Sequence, residues 1–341
     1  MPGMIEGHSH LFLYPYDQTP WDDQVLKEPE ALRTARAVVA ARATLLAGFT
    51  TVRDLGTEGA GTADAGLKMA IERGIVPGPR MIIATRALVA PGSYGPKGHA
   101  APVPQGAEEA DGPALVTALR RQIGAGADVV KIYADYRWGR GEPSRPTFSQ
   151  AELTAAVGAA HDAGRQVTVH ASTPEAMTRA VMAGVDAIEH GSEGDAKVFA
   201  LMAARGTVLC PTLAAGDAIA RYRGWNGAEP APQDVLDDRK AFALALKAGV
   251  KMCMGGDVGV FAHGDNAREM RLMAAHGMTN IAVLHAATAG NARYFALGDR
   301  GRIASGMLAD IAVVAGDPVA DIGAVSRIVL VMKGGAVVTQ P

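Results

Sequence analysis

The chain has 341 residues, of which 48% are hydrophobic and 20% are charged, a composition that is typical of globular proteins and excludes a disordered chain. Its 33 Lys and Arg residues nearly balance 35 Asp and Glu residues, and the net charge of -2 argues against nucleic acid or an anionic membrane as a partner. This length fits one large barrel or two ordinary domains.

Segments that would direct or anchor the chain are not visible in the sequence. No apolar run reaches the length of a membrane span, and residues 1–6 lack the basic and apolar regions of a signal peptide. We therefore expect a cytoplasmic protein without a membrane partner. Cys210 and Cys253 each lie in an apolar run, so we expect two buried thiols and no disulfide framework. The sequence leaves open whether the chain forms a homo-oligomer.

Short apolar runs alternate with helical stretches along most of the chain. The runs are rich in Val and Ile and mostly lack alternation with polar residues, which is typical of parallel strands buried on both faces. Eight strands are predicted, over residues 4–11, 50–55, 80–85, 129–134, 167–171, 187–191, 207–211 and 250–255. Helices are predicted between and after them, over residues 31–47, 62–73, 114–125, 150–163, 175–183, 196–204 and 234–248.

These strand–helix units predict an α/β fold of the (β/α)8 TIM-barrel class over residues 1–296. Two segments that contain Gly and Pro, residues 88–112 and 215–233, break the rhythm after a strand. We expect both to overhang the C-terminal mouth of the barrel, where the active sites of this fold lie.

The tail has a different pattern. Residues 309–315, 327–332 and 336–339 read as strands, and Gly334-Gly335 favours a hairpin turn between the last two. We therefore predict a second domain, residues 297–341, in the form of a small C-terminal β-appendage.

Candidate metal ligands lie at the ends of five predicted strands. Side chains two residues apart on a strand point to the same side, so the histidines of His8-Ser9-His10 face one cavity. Imidazole and carboxylate groups bind first-row metals, with zinc as the default. A single histidine in an apolar strand is usually a core residue, but chance does not explain an ordered set. The six candidates are His8, His10, Lys131, His170, His190 and Asp257.

An ordered series of motifs spans nearly the whole chain. The motifs are residues 2–10, 48–54, 169–171, 188–191, 255–259, 263–266 and 306–311. Their order resembles that of the amidohydrolase superfamily, in particular its prolidase-like and imidazolonepropionase-like branch of metal-dependent hydrolases. The His-x-His motif alone is weak evidence, whereas the ordered set is specific.

The resemblance implies a binuclear centre with two divalent metal ions, zinc by default. The first ion would be held by the His-x-His pair and Asp257, and the second by His170 and His190. Lys131 would bridge the two as a carbamate formed with carbon dioxide. In such a site a hydroxide between the metals attacks a polarised carbonyl, and Asp257 would be the catalytic residue that transfers the proton.

The N-terminal end departs from the family pattern. Family members carry a segment ahead of the His-x-His strand that completes a β-sandwich with the C-terminal strands. Here that strand begins almost at the first residue. We therefore expect an incomplete β-sandwich with an exposed apolar edge.

Substrate contacts are expected in the loops and strand ends around the mouth. His99 and His263 lie in overhanging loops, and Tyr133 lies two residues beyond Lys131 on the same face of its strand. Arg137 is a candidate anchor for a substrate carboxylate. Each of these four residues also fits an ordinary position on the rim.

Three hypotheses remain for the function. The first is a binuclear hydrolase that cleaves an amide bond of a small molecule, either a dipeptide or an N-acyl amino acid. The second is a mononuclear deaminase or imidazolone-type cyclic amide hydrolase that uses the histidines and Asp257 only, and Lys131 argues against it. The third is a non-catalytic scaffold on the same fold, which ranks last because none of the six candidate ligands is lost.

Overall fold

The computed structural model describes residues 1–99 and 106–338. The strands are β1 (Met4–Ser9), β2 (Phe49–Asp54), β3 (Arg80–Ile83), β4 (Leu88–Val89), β5 (Glu108–Glu109), β6 (Val129–Tyr133), β7 (Asp135–Tyr136), β8 (Arg145–Pro146), β9 (Gln166–Ala171), β10 (Ala187–His190), β11 (Val208–Cys210), β12 (Lys251–Met252), β13 (Ile311–Val314), β14 (Ile328–Lys333) and β15 (Ala336–Val338). The α-helices are α1 (Trp21–Lys27), α2 (Glu30–Leu46), α3 (Ala63–Glu72), α4 (Gly112–Gly124), α5 (Gln150–Asp162), α6 (Pro174–Ala183), α7 (Ala196–Arg205), α8 (Leu213–Tyr222), α9 (Gln233–Lys247), α10 (Ala267–Ala275), α11 (Asn280–His285) and α12 (Asn291–Tyr294).

All eight strands of the predicted strand–helix units are confirmed, with ends that differ by a few residues. They are β1, β2, β3, β6, β9, β10, β11 and β12, and the seven predicted helices are α2 to α7 and α9. Strands β1, β2 and β6 are buried along their whole length, as expected for apolar runs covered on both faces. Within the two described ranges, no helix is both long and apolar enough to cross a bilayer.

The parallel strands form two sheets. One has the order β1-β2-β3, and the other has the order β12-β11-β10-β9-β6-β4-β5. Backbone hydrogen bonds also run between the two sheets. On one side Gly7 N of β1 donates to Met254 O, just after β12, at 2.9 Å, and on the other side Asp128 N, just before β6, donates to Ile83 O of β3 at 2.8 Å. Because all these strands are parallel, their carboxyl ends meet at one side of the molecule.

Helices cover the sheets through apolar faces. Helix α5 begins with a capping box, in which the Ser149 hydroxyl accepts from Glu152 N and the Glu152 carboxylate accepts from Ser149 N. Its buried residues Leu153 and Ala156 belong to the same apolar cluster as Val167 and other strand residues. Burial of a large apolar side chain of this kind stabilises the fold by about 1.5–3 kcal/mol.

Two glycines allow β1 to lie against the segment after β12. A Cβ atom at Gly255 would lie 2.8 Å from His8 N and 3.0 Å from the Gly7 carbonyl carbon. A Cβ atom at Gly7 would collide with Cys253 Sγ and lie 2.6 Å from Met254 O. Only glycine therefore permits this approach, which places Asp257 beside His8.

One sequence-based expectation is wrong. Cys210 and Cys253 form a disulfide and are not free thiols, because the neighbouring parallel strands β11 and β12 bring their Cα atoms to 4.6 Å. The segment 215–233, expected at the mouth, begins within α8. The apolar face of α8 buries Ala215 and Ala218 in a cluster with Phe261. The other predicted loop contains β4 and β5, and its residues 100–105 lie outside the described ranges.

The three predicted tail strands are confirmed as an antiparallel sheet of order β13-β14-β15, with residue 339 of the last prediction outside the described ranges. The N-terminal residues pair with β13, since Ala312 N donates to Met1 O at 3.1 Å and Pro2 bridges Ile311. Val329 and Val337 of this sheet are exposed. The incomplete β-sandwich stays a prediction. The division into two domains at residue 297 stays a prediction.

We expect the double substitution Cys210→Ala and Cys253→Ala to lower the free energy of unfolding by about 2–4 kcal/mol, because the cross-link restrains the unfolded chain. The bridged residues are 43 apart in sequence. Urea denaturation without reductant measures the change. A reductant should shift the wild-type midpoint towards that of the double variant and leave the variant unchanged. Equal midpoints for the two oxidised proteins would contradict the prediction.

Candidate active site

One cavity of about 620 Å3 opens at the carboxyl ends of the parallel strands. Five of the six candidate metal ligands line it: His8, His10, His170, His190 and Asp257. The sixth, Lys131, is buried beside Tyr133, and its Nζ lies 5.5 Å from the centroid of that ring. The structure thus brings the whole predicted set to one end of the fold, as the strand order requires.

His8, His10 and Asp257 form the tightest group. Asp257 Oδ1 lies 3.5 Å from His8 Nε2 and 3.4 Å from His10 Nε2. One potential ligand atom from each of the three residues lies within 4.8 Å of the other two. This arrangement is suited to one cation held by two imidazoles and a carboxylate.

His170 and His190 extend the group across the cavity. Their ring centroids are 4.5 Å apart, and the His190 ring lies 5.2 Å from that of His8. His170 also stacks on Tyr133, with centroids 4.7 Å apart and an interplanar angle of 15°. The four imidazoles therefore form one continuous surface that could hold more than one cation.

Hydrogen bonds at Nδ1 orient three of the imidazoles. The bond partners are Glu189 Oε2 for His8 and the Gly56 carbonyl for His10, both at 2.8 Å. The partner of His190 Nδ1 is Thr212 Oγ1 at 2.7 Å. Such bonds fix the ring and leave Nε2 free to bind a metal ion.

Burial favours the neutral form of the four imidazoles. Burial lowers the pKa of His170 to about 3, and it lowers the pKa of His8 and His190 well below the usual range. Burial also lowers the pKa of His10. A neutral imidazole keeps the lone pair that a metal ligand needs.

Lys131 is an unusual residue for the interior of a sheet. Its side chain is 1% exposed, and its Nζ has no hydrogen-bond partner among the described residues. Burial lowers the pKa of Lys131 to about 8, so a neutral amine is readily populated. A buried polar group without a partner is costly, and its presence indicates a role that the isolated side chain does not fulfil.

Asp257 is held where its protonation can change near neutral pH. Burial raises the pKa of Asp257 to about 7, and its Oδ1 accepts no hydrogen bond from the described residues. Its backbone has φ of 60°, in the left-handed region that non-glycine residues seldom adopt. Three other residues on the cavity wall share this strained conformation, which is frequent at functional sites: Glu58, His190 and Thr212.

Glu189 and Arg53 support the site and were assigned no role from the sequence. The Glu189 carboxylate accepts from Arg53 Nη2 at 2.5 Å, from His8 Nδ1 at 2.8 Å and from the Thr168 hydroxyl. The sequence does show Glu189 as an acidic residue inside an apolar strand, directly before His190. Its partners lie on other strands, so the sequence did not reveal them.

The four predicted substrate contacts have different surroundings. Tyr133 and Arg137 line the cavity with the metal-ligand candidates. His99 lines a neighbouring cavity of about 410 Å3, together with Trp21. His263 is not among the described residues that line either cavity, and its Nε2 lies 3.0 Å from the Leu13 carbonyl oxygen.

The chain is similar to several known proteins. An uncharacterized protein of Mycobacterium tuberculosis is 29% identical over 300 residues, which cover 84% of this chain and 72% of that protein. The solved structure of a Xaa-Pro dipeptidase with bound methionine has a TM-score of 0.87 and 32% identity, and the match covers 99% of this chain and 86% of that one. A prolidase complexed with N-methylphosphonate-L-proline has a TM-score of 0.86 and 31% identity, and the match covers 100% of this chain and 87% of that one.

The model of the amidohydrolase family matches residues 1–338, nearly the whole chain. The ordered motifs, the converging imidazoles and these structural relatives agree with that match. The chain therefore belongs to the amidohydrolase family and is a metal-dependent amidohydrolase.

Proposed function

We propose that this amidohydrolase is binuclear and cleaves an amide bond of a dipeptide or an N-acyl amino acid. The observation that carries the proposal is Lys131, a buried amine beside four imidazoles that has no hydrogen-bond partner in the described part of the chain. A lone lysine there would leave an unsatisfied polar group in the interior. Reaction of its neutral amine with carbon dioxide would form an N–C bond and release one proton, and the anionic oxygens of the resulting carbamate are metal ligands.

The donor set fits two divalent ions, by default zinc. His8, His10 and Asp257 would hold the first ion, since their potential ligand atoms already lie together. The remaining imidazole pair, His170 and His190, would hold the second, and the Lys131 carbamate would bridge both. When bound, such ions polarise a carbonyl group and increase the acidity of water.

Asp257 is suited to moving a proton in the reaction. Its pKa of about 7 is set mainly by burial, so its carboxylate can accept and return a proton near neutral pH. We propose that Asp257 Oδ1 accepts a proton from the attacking water and then donates it to the leaving amine. The neutral imidazoles remain ligands throughout, because burial holds their pKa values too low for protonation.

We also infer that the eight parallel strands close into a (β/α)8 barrel. Support comes from the hydrogen bonds at both edges of the β1-β2-β3 sheet, from Gly7 N to Met254 O and from Asp128 N to Ile83 O. Closure would explain why ligands from strands far apart in the sequence face one cavity.

The relatives support a small substrate with an amide bond. Among the solved structures, the Xaa-Pro dipeptidase is named for dipeptide substrates and holds methionine, and the prolidase holds N-methylphosphonate-L-proline. A mononuclear deaminase or cyclic amide hydrolase is the second candidate, favoured by the compact group of His8, His10 and Asp257. This candidate assigns no function to the buried Lys131.

We expect Lys131→Ala to reduce the bound metal from two ions per chain to one or fewer and to lower amide hydrolysis at least about 100-fold, because the bridging ligand would be lost and with it the Lewis-acid contribution of the second ion. Metal analysis and kinetics on zinc-loaded protein prepared with bicarbonate measure both effects. Lys197→Ala, on the exposed face of α7, is the matched control. Full activity of Lys131→Ala with one ion per chain would favour the mononuclear candidate.

We expect Glu189→Gln to weaken metal binding about 10- to 100-fold, because a neutral amide no longer orients the His8 ring or neutralises Arg53. Competition with a chelator measures the affinity. Glu175→Gln, at an exposed position of α6, should keep the wild-type metal affinity. A folded Glu189→Gln protein with unchanged metal affinity would show that the carboxylate does not position His8.

A further inference from the structure

Beside the metal-ligand candidates, one wall of the cavity is aromatic and contains the Glu58 carboxylate. Glu58 and four aromatic residues, Trp21, Tyr94, Tyr133 and Tyr136, all line the cavity. The Tyr94 ring lies at the centre, with centroid distances of 4.5 Å to Tyr133, 4.8 Å to Tyr136 and 5.4 Å to Trp21. We refer to these five residues as the aromatic cage.

The carboxylate of the aromatic cage is buried and forms no ion pair with the residues that the structure describes. Glu58 is 2% exposed, and its Oε2 accepts from Tyr94 OH at 2.5 Å and from Trp21 Nε1 at 3.2 Å. Its Oε1 has a longer contact of 3.4 Å with Tyr133 OH. None of the ion pairs among residues 1–99 and 106–338 includes Glu58. The carboxylate can therefore accept a further donor from the cavity.

The backbone is arranged to hold Glu58 in this position. Its φ of 52° is strained for a residue with a side chain. Buried Arg33 donates to the backbone carbonyls of Phe12, Thr57 and Glu58 and thereby fixes this turn. The nearby guanidinium thus binds the backbone and leaves the Glu58 carboxylate to the cavity.

The chemistry of the aromatic cage suits a cation. Burial and the charge of Glu58 raise the pKa of Tyr94 well above its usual value, so its hydroxyl stays protonated and donates to the carboxylate. The faces of Trp and Tyr rings attract cations, and a buried carboxylate adds full charge. The Tyr133 ring stacks on His170, so a group in the aromatic cage lies next to the centre of the reaction.

We propose that the aromatic cage binds a substrate ammonium group, so that the enzyme prefers dipeptides with a free amino terminus over N-acyl amino acids. This inference rests on the proposed amide hydrolysis. A free ammonium group would complete the hydrogen bonding of Glu58, whereas an acylated nitrogen would leave the carboxylate without a countercharge. The loss of a charged hydrogen bond of this kind lowers affinity about 10- to 100-fold.

The test compares a dipeptide with its N-acetyl derivative on zinc-loaded wild type and Glu58→Gln. Wild type should cleave the free dipeptide with the lower KM. Glu58→Gln should raise that KM about 10- to 100-fold with kcat little changed, and leave the kinetics of the N-acetyl derivative as they are. Tyr136→Leu removes one ring without touching a hydrogen bond to Glu58 and should shift the same KM in the same direction. Glu72→Gln, an exposed residue of α3, is the control.

Two outcomes would overturn the proposal. The first is that Glu58→Gln changes the KM of both compounds equally, or of neither, and that Tyr136→Leu leaves the KM of the free dipeptide unchanged. The second is a wild-type preference for the N-acetyl derivative. If wild type hydrolyses neither compound, the proposed amide hydrolysis is wrong. Kd values measured by calorimetry for the same two compounds then test separately whether the aromatic cage binds an ammonium group. Tighter binding of the free dipeptide that is lost in Glu58→Gln supports it, and equal Kd values refute it.

Discussion

The carboxylate of Glu189 connects four strands in the interior of the protein. It lies on β10 and accepts hydrogen bonds from His8 on β1, Arg53 on β2 and Thr168 on β9, so it joins the two parallel sheets. Removal of one member of a buried ion pair costs about 3–5 kcal/mol, because the other charge is left uncompensated. The same bonds that hold the sheets together therefore set the orientation of His8.

Burial determines the protonation of the candidate metal ligands near the Glu189–Arg53 ion pair. The loss of water lowers the pKa of the histidines and of Lys131 and raises that of Asp257. Each shift favours the uncharged form of its group. The result is a set of neutral donors and one readily exchanged proton, which is the state in which a protein site can take up metal cations.

The cavity has two sides with different origins. The metal-ligand candidates lie at the ends of strands, where the rigid sheet fixes their positions. The aromatic cage comes largely from segments that follow strands, with Trp21 on α1, Tyr94 after β4 and Tyr136 on β7. Arg33 binds the turn after β2 that carries Glu58. Tyr133 belongs to both sides, since it stacks on His170 and contacts Glu58. Reaction and substrate selection can thus vary separately on one fold.

Much of the fold and the centre of the site could be predicted from the sequence. Apolar runs and helical periodicity predicted the eight parallel strands, and parallel strands place their carboxyl ends together, so His8, His170, His190 and Asp257 had to converge. The support around them depends on register between distant strands. The Cys210–Cys253 bond and the partners of Glu189 arise only when neighbouring strands are aligned. The orientation of Glu58 depends on a strained turn and on the rings around it. Local pattern thus determined which residues lie at the strand ends, and tertiary packing decided what each of them contacts.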